Sequence, residues 1–330
     1  MTSPIPPRSE NGAALLTVLM LVAVMAVVSA VVLERLTLST RLAANASALD
    51  QARAYADSAS LLVEHRLNRI VEQNPARMTT QQGWIGRPQD VPVPGGGASI
   101  TVYDGGNCFN LNSLVSGNEG GALYRRPVAI TQFAALMEVL GIRSGEAYQV
   151  ASAAADWIDS DSVPGKSGAE DEHYIAMTPS YRTANQLMAD PSELRAVAGV
   201  TPRLYALVRP WICALPTTSL SPINVNTLAS GQAPLIAMMV PGKMPLESAR
   251  ALINQRPAGG YDSVPAFWAI PAQRDMIPPA EVAEQVRLTT TWFRVELNVQ
   301  LGETSMRQWR LYDARNAPVR LMRASWGDEG

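Results

Sequence analysis

Between Ala13 and Asn74 the chain carries no glycine and no proline, and its first part, Ala13–Leu33, carries no charge either. Such a run keeps every backbone donor and lacks both residues that interrupt helices, so the spacing predicts one continuous helix. At about 60 residues it would be about 90 Å long. The uncharged part, about 21 residues, is enough to cross a bilayer core of about 30 Å. Asn74-Pro75 supplies the stop. In the second half Leu42, Ala46, Leu49, Ala52, Ala56, Ala59, Val63, Leu67 and Ile70 recur at steps of three and four. Arg41, Asp50, Arg53, Asp57, Glu64 and Arg66 fall elsewhere, which leaves one apolar stripe to pack against a globular body. A coiled coil shares this period, but the many alanines and irregular heptads suit a packed spine better.

The leader before this helix is polar, with Arg8 against Glu10, and it meets the apolar run directly at Gly12. A secretory signal peptide has a basic leader, an apolar region of roughly 7–15 residues and a small-residue cleavage site beyond it. Here the apolar run is longer, and nothing basic sets it off. Arg35, Arg41 and Arg53 lie beyond the span, so loop charge does not place the C-terminal side outside.

A polar leader ending in glycine, an immediate apolar run and a long spine helix resemble the precursors of type IV pilins and type II secretion pseudopilins. The resemblance implies cleavage between Gly12 and Ala13 by a prepilin peptidase, followed by methylation of the Ala13 amine. Cleavage on the cytoplasmic side leaves the apolar run in the mature protein as an assembly element. Most members of this class carry glutamate at the fifth mature position, where this chain has Thr17. A carboxylate in hydrocarbon is costly unless paired with a neighbouring subunit. A threonine bonds back to its own helix and needs no partner, which suits a subunit with nobody above it. Among pseudopilins this absence is characteristic of the minor K-type subunit.

The remaining chain agrees with that resemblance. The segment from Pro75 through "VPVPGGG", residues 91–97, reads as polar loop, and "ASITVY", 98–103, as a strand. In "WFRVELNVQ", 292–300, Val295, Leu297 and Val299 alternate with Arg294, Glu296, Asn298 and Gln300, a strand with one buried face. "RQWRLYD" and "VRLMRASW" predict two more strands around a "DARNAP" turn. Between these regions the texture is helical with proline and glycine breaks. The expected fold class is α+β: a pilin-like spine helix plus antiparallel sheet, interrupted by a large α-helical insert with helix-hairpin-helix or SAM-like units. The expected divisions are leader 1–12, membrane half of the spine 13–34, pilin-like domain 35–112, insert 113–288, and C-terminal strands 289–330. "CFNLNSL", "DWIDSD", "SPINVNT" and the terminal strands resemble the K-type family in that order.

"DWIDSDSVPGKSGAEDEHY", 156–174, holds Asp156, Asp159, Asp161, Glu170, Asp171 and Glu172 against Lys166 alone. So many hard oxygens on a glycine-bearing loop suit calcium with its six to eight oxygen ligands, though the spacing is not that of an EF-hand. A solvated acidic loop is the plain alternative. The resemblance implies structural calcium in the insert, with Asp159, Asp161, Glu170 and Asp171 as the expected ligands and Asp156 and Glu172 as further candidates. Two segments, 221–257 and 190–208, resemble helix-hairpin-helix units. Such units bind DNA backbone through a Gly-hydrophobic-Gly turn, but here Thr201 and Met244 replace the second glycines. From Ser192 to Arg287 eight basic residues face six acidic ones, with no basic stripe for phosphates. Nucleic acid is therefore not expected as a partner. Cys108 and Cys213 flank the first part of the insert; in an oxidising compartment they form a bridge, otherwise they are free buried thiols. His65 and His173 belong to no motif, and no nucleophile elbow, phosphate loop or zinc spacing occurs.

The resemblance implies a filament subunit, not an enzyme. It would sit in the bacterial inner membrane by a single pass with its C-terminal domain in the periplasm. Its place would be the pseudopilus tip, beside the minor I-type and J-type pseudopilins and the other pseudopilins, helping to start assembly or engage exoproteins. A membrane-tethered DNA receptor and a minor subunit of a type IV pilus are the alternatives.

Overall fold

A computed structural model describes residues 11–118, 120–272 and 274–327. Leader residues 1–10 lie outside them. Helix α1 (Asn11–Gln73) is unbroken over 63 residues, about 95 Å. It ends at the expected stop, where the Asn74 side-chain amide donates to the Ile70 carbonyl at 2.8 Å. Among the described residues this is the one helix long and apolar enough to cross a membrane, and its apolar part is uncovered. The stripe is buried only from Ala52 onward; Leu42 and Leu49 stay exposed. The sheet begins opposite Ala52 and Ala56, which pack on Ala98, Val299 and Leu301, so no described residue covers the earlier part of the stripe.

After the spine come β1 (Gln89–Val93) and β2 (Gly96–Asp104). The expected loop at 91–97 is thus a hairpin, with Val91 opposite Ala98 and Gly95 at φ 82° in the turn. Pro92 hid it, since proline is tolerated only on an edge strand, and β1 is an edge.

The chain then enters a head built from two similar halves. The first half starts at β3 (Phe109–Asn110) and passes through the hairpin of β4 (Val115–Ser116) and β5 (Tyr124–Arg125). Next come α2 (Pro127–Val139), α3 (Ser144–Ile158), α4 (Asp171–Ile175) and α5 (Pro202–Val208). It closes at β6 (Ile212–Cys213), which pairs in parallel with β3. The second half starts at β7 (Ile223–Asn224) and continues through α6 (Ala233–Ala237), α7 (Leu246–Asn254), α8 (Val264–Ala272) and α9 (Ala280–Ala283). It closes at β8 (Val286–Arg287), again parallel to its own first strand.

The likeness of the halves is chemical as well as topological. Asn110-Leu-Asn-Ser-Leu114 opens one half and Asn224-Val-Asn-Thr-Leu228 the other. In each, the first asparagine accepts from the backbone N–H two residues on, at 3.2 Å (Asn112) and 3.0 Å (Asn226). The second asparagine clamps a distant backbone. Asn112 accepts from Met188 N–H (2.7 Å) and donates to Met188 and Leu215 carbonyls (both 2.9 Å). Asn226 accepts from Tyr261 N–H (2.7 Å) and donates to its carbonyl (3.0 Å). Each half also turns between helices at a left-handed glycine, Gly141 (φ 93°) and Gly242 (φ 71°). The head is therefore built from two units of like plan. Its first helical hairpin is α2–α3, whereas 190–208 holds only a 3-10 turn, Pro191–Ala196, leading across Gly199 to α5. Because Asn112 is fully buried, Asn112→Ala leaves Met188 and Leu215 unsatisfied; chemical denaturation is expected to show a loss of about 2–4 kcal/mol.

The chain leaves the head into β9 (Trp292–Leu301), β10 (Thr304–Asp313) and β11 (Arg320–Trp326). The sheet order is β1-β2-β9-β10-β11, antiparallel throughout, so the whole head is inserted between neighbouring strands β2 and β9. The inner face packs on the spine through Val63, Leu67, Ile70, Trp84, Phe293, Val295, Leu297 and Tyr312. Arg310, almost wholly buried, reaches from this face to Asp57 on the spine at 2.7 Å.

Asp104, at the end of β2, stitches sheet to head. Its carboxylate accepts from Thr290 Oγ1 (2.5 Å), Thr227 Oγ1 (2.8 Å) and the Gly106 N–H (3.1 Å). Burial pushes its pKa up to about 6, against the pull of those donors. The folded state then holds a proton that the unfolded chain has already released between pH 3.8 and about 6. Stability must fall as pH rises through that window, with a slope of at most about 1.4 kcal/mol per pH unit from this group. Asp104→Asn is expected to flatten that part of the stability–pH curve, measured by urea midpoints.

Candidate metal centre

The last turn of α3 places Asp156 inward, and its C-cap is Asp159. Both carboxylates therefore sit at the negative end of a helix dipole, where a cation is favoured and an anion is not. Glu170, the N-cap of α4, comes back across the loop to join them. Carboxylate oxygens of Asp156, Asp159 and Glu170 lie within 4.8 Å of one another, and all three residues are buried. Asp156 is ion-paired with Arg125 from β5 and accepts from the Gly165 N–H at 3.1 Å. Arg125 in turn is braced by Ser152 Oγ at 2.8 Å. The loop glycines serve this packing: a Cβ on Gly168 would strike the Asp156 carboxylate, and one on Gly165 the Arg125 guanidinium.

Both oxygens of Asp159 and Oε1 of Glu170 are buried with no hydrogen-bond donor in bonding geometry. Burial, reinforced by the charges of Asp161 and Glu170, pushes Asp159 up to about 7; Arg125 and the Asp161 amide relieve it only in part. Glu170 is raised as well, chiefly by burial. With Arg125 balancing Asp156, two carboxylate charges are left, which is the charge of one divalent cation. An all-oxygen set fits calcium, and the cysteine and histidine donors typical of structural zinc sites are not among the three residues of the cluster.

Of the expected ligands, Asp159 and Glu170 are brought together and Asp156 joins them. Asp161 is exposed and accepts from the Val163 N–H at 2.8 Å, close enough to raise its two neighbours electrostatically. Asp171 points to Thr183, accepting from its N–H (3.0 Å) and Oγ1 (2.8 Å), and to Arg182 at 3.2 Å. Those bonds, the Thr183 hydroxyl first, hold its carboxyl below the usual range. Glu172 and His173 are exposed, the latter edge-on to Tyr174 at 5.3 Å. Arg125 is the contributor that sequence spacing could not supply, since it comes from a different hairpin.

Elsewhere, Cys108 and Cys213 form a disulfide with Cα atoms 5.8 Å apart, bridging 105 residues. Gly12 and Ala13 fall in the first turns of α1, and Thr17 Oγ1 donates to the Ala14 carbonyl at 2.8 Å.

Two family models, both described as type II secretion system (T2SS), protein K, match residues 107–217 and 223–290. Their border falls between the two halves of the head. They cover more than half of the sequence. The chain belongs to the type II secretion system protein K family. A protein K from Pectobacterium carotovorum subsp. carotovorum is 34% identical over 323 residues, spanning 96% of this chain and 97% of the relative. One from Aeromonas hydrophila is 35% identical over 330 residues, 98% and 99% of the two. Among solved structures, a chain of the GspK-GspI-GspJ complex from enterotoxigenic Escherichia coli superposes with a TM-score of 0.73 at 30% identity. The match covers 84% of this chain and 96% of that one. This protein K family member is thus a minor pseudopilin with the pilin-like spine and sheet that its sequence predicts.

Proposed function

We propose that this protein K caps the tip of the type II secretion pseudopilus, assembled with I-type and J-type minor pseudopilins and acting in protein export across the outer membrane. The observation that carries this reading is Thr17. Its hydroxyl is satisfied within its own helix, so the span reaches for no subunit above it. The head supports the same reading, because a two-unit helical body standing beside the sheet obstructs further stacking on that side. The solved GspK-GspI-GspJ complex supplies the partner types. In this reading prepilin peptidase cuts between Gly12 and Ala13, the Ala13 amine is methylated, α1 anchors in the inner membrane, and the sheet and head lie in the periplasm. Calcium, held by Asp156, Asp159 and Glu170 with Asp161 close by, fastens the 159–170 loop, which has almost no apolar core of its own. The chain works as a structural subunit and not as an enzyme. Engagement of exoproteins would then be a matter of surface contact and not of chemistry.

The test is to purify the full chain in detergent with its I-type and J-type partners and measure complex mass with and without calcium. A mass equal to the sum of the three subunits is expected. No complex under either condition would sink the tip assignment.

A further inference from the structure

The sheet face turned away from the spine meets the head across a cleft of about 460 Å³. That is within the size range of pockets that hold small ligands or a few peptide side chains. Its floor is a cross-strand row, Tyr103, Arg294, Leu311 and Arg323, contributed in turn by β2, β9, β10 and β11. The Arg294 guanidinium lies 4.7 Å from the Trp309 ring centroid and 5.3 Å from that of Tyr103, held flat by cation–π attraction. The head supplies Arg209, in hydrogen-bond contact with Tyr205. Arg310 borders the cleft too, but its guanidinium turns inward to Asp57. Asp104 in the lining is taken up by Thr227, Thr290 and Gly106, and Glu296, opposite Trp309 on the same sheet face, accepts from Tyr103 at 3.3 Å and pairs with Arg307 at 3.2 Å. Arg209, Arg294 and Arg323 outnumber these carboxylates, so the cleft is cationic on balance, and the enclosed indole N–H of Trp309 meets no acceptor among the described residues.

This cleft opens onto the free edge of β11. Its Leu321, Met322 and Trp326 are exposed, and no described strand pairs with its outer side. Edge strands are commonly blunted by proline or a bulge. The opposite edge has Pro92, whereas β11 has no proline from Arg320 to Trp326 and one irregularity against Leu311 and Tyr312. Arg323 and Ser325 belong both to the lip of the cleft and to this edge. Arg323 spans the two by donating to the Ala189 carbonyl of the head. A strand added beside β11 would set alternate side chains next to Arg323 and Ser325, at the cleft mouth.

We propose that β11 and the adjoining cleft form a docking site for an extended acidic segment of a partner protein, which adds to the sheet edge and places its carboxylates against the cleft arginines. The added backbone bonds supply affinity, and the arginine row selects charge. This inference does not rest on the tip reading, nor on the metal centre.

The probe is a fluorescein-labelled peptide alternating glutamate with valine, titrated by anisotropy into the full chain in detergent, with a lysine–valine peptide as control. The acidic peptide is expected to bind and the basic one not. The double variant Arg209→Glu, Arg323→Glu should weaken binding about tenfold or more, and Arg209→Lys, Arg323→Lys should retain most of it. Amide exchange of the unaltered chain gives a reading independent of any variant: β11 amides should slow when the peptide is present. Equal binding of the two peptides, unchanged binding by the charge-reversed chain, or β11 exchange indifferent to the peptide would each overturn the proposal.

Discussion

Replacing Cys108 and Cys213 with serine is expected to cost about 4–5 kcal/mol of stability. The bridge closes a loop of 105 residues, nearly the whole first half. Cross-linking a loop of that length removes about that much denatured-state entropy. On the native side the Asn110 and Asn112 side chains close the same loop by bonding to Leu215, Thr217 and Ser219. The strands the bridge joins, β3 and β6, pair over only two positions, Phe109 with Ile212 and Asn110 with Cys213. Urea unfolding followed by far-UV circular dichroism checks this, with the unmodified chain under strong reductant as a second route to the same shift. A loss below about 1 kcal/mol by both routes would mean that the first half holds itself closed without the bridge.

Withdrawing calcium is the second large effect expected. A cation present at a hundredfold excess over its dissociation constant contributes about 2.7 kcal/mol. For a body of this size that is a fall in melting temperature of roughly 5–10 °C on adding chelator. The buried, unpartnered oxygens of Asp159 make the sign of a mutation depend on the metal. With calcium, Asp159→Asn should lower the melting temperature, because a charged ligand is lost. With chelator, the same substitution should raise it, because a desolvated charge beside Glu170 is gone. Calorimetric scans in both buffers read out the reversal. A substitution that acts in the same direction in both would show that the cluster holds no cation.

The parts of the fold that could be read from sequence are those with an uninterrupted period. The spine declared itself by sixty residues without glycine or proline, about the longest signal the chain contains. The alternation of Val295, Leu297 and Val299 marked β9, which lies at the middle of the sheet. Strand β1 stayed hidden because Pro92 and the glycines after it are turn residues by composition, and only edge placement makes a strand of them. The likeness of the two halves was present as two Asn-x-Asn segments, but its meaning lies in what Asn112 and Asn226 clamp, Met188 and Tyr261, which no spacing announces. The acidic centre was half legible. The loop and its carboxylates were plain, yet Asp156 belongs to the centre because helix α3 turns it inward, while Thr183 and Arg182 take up the oxygens of Asp171. Helix phase and long-range partners decided those two places, and neither is a property of the loop itself.

One backbone hydrogen bond, Gly105 N–H to the Trp292 carbonyl at 2.7 Å, joins the point where the chain departs the sheet to the point where it comes back. A body whose two ends are neighbours is attached like a pendant. Its own length is not set by the spacing of β2 and β9, though it keeps hold of the sheet where Leu215 packs on Trp292 and Leu311 and Thr227 meets Asp104. Variation in such an appendage is thereby separated from the register of the five strands that carry it.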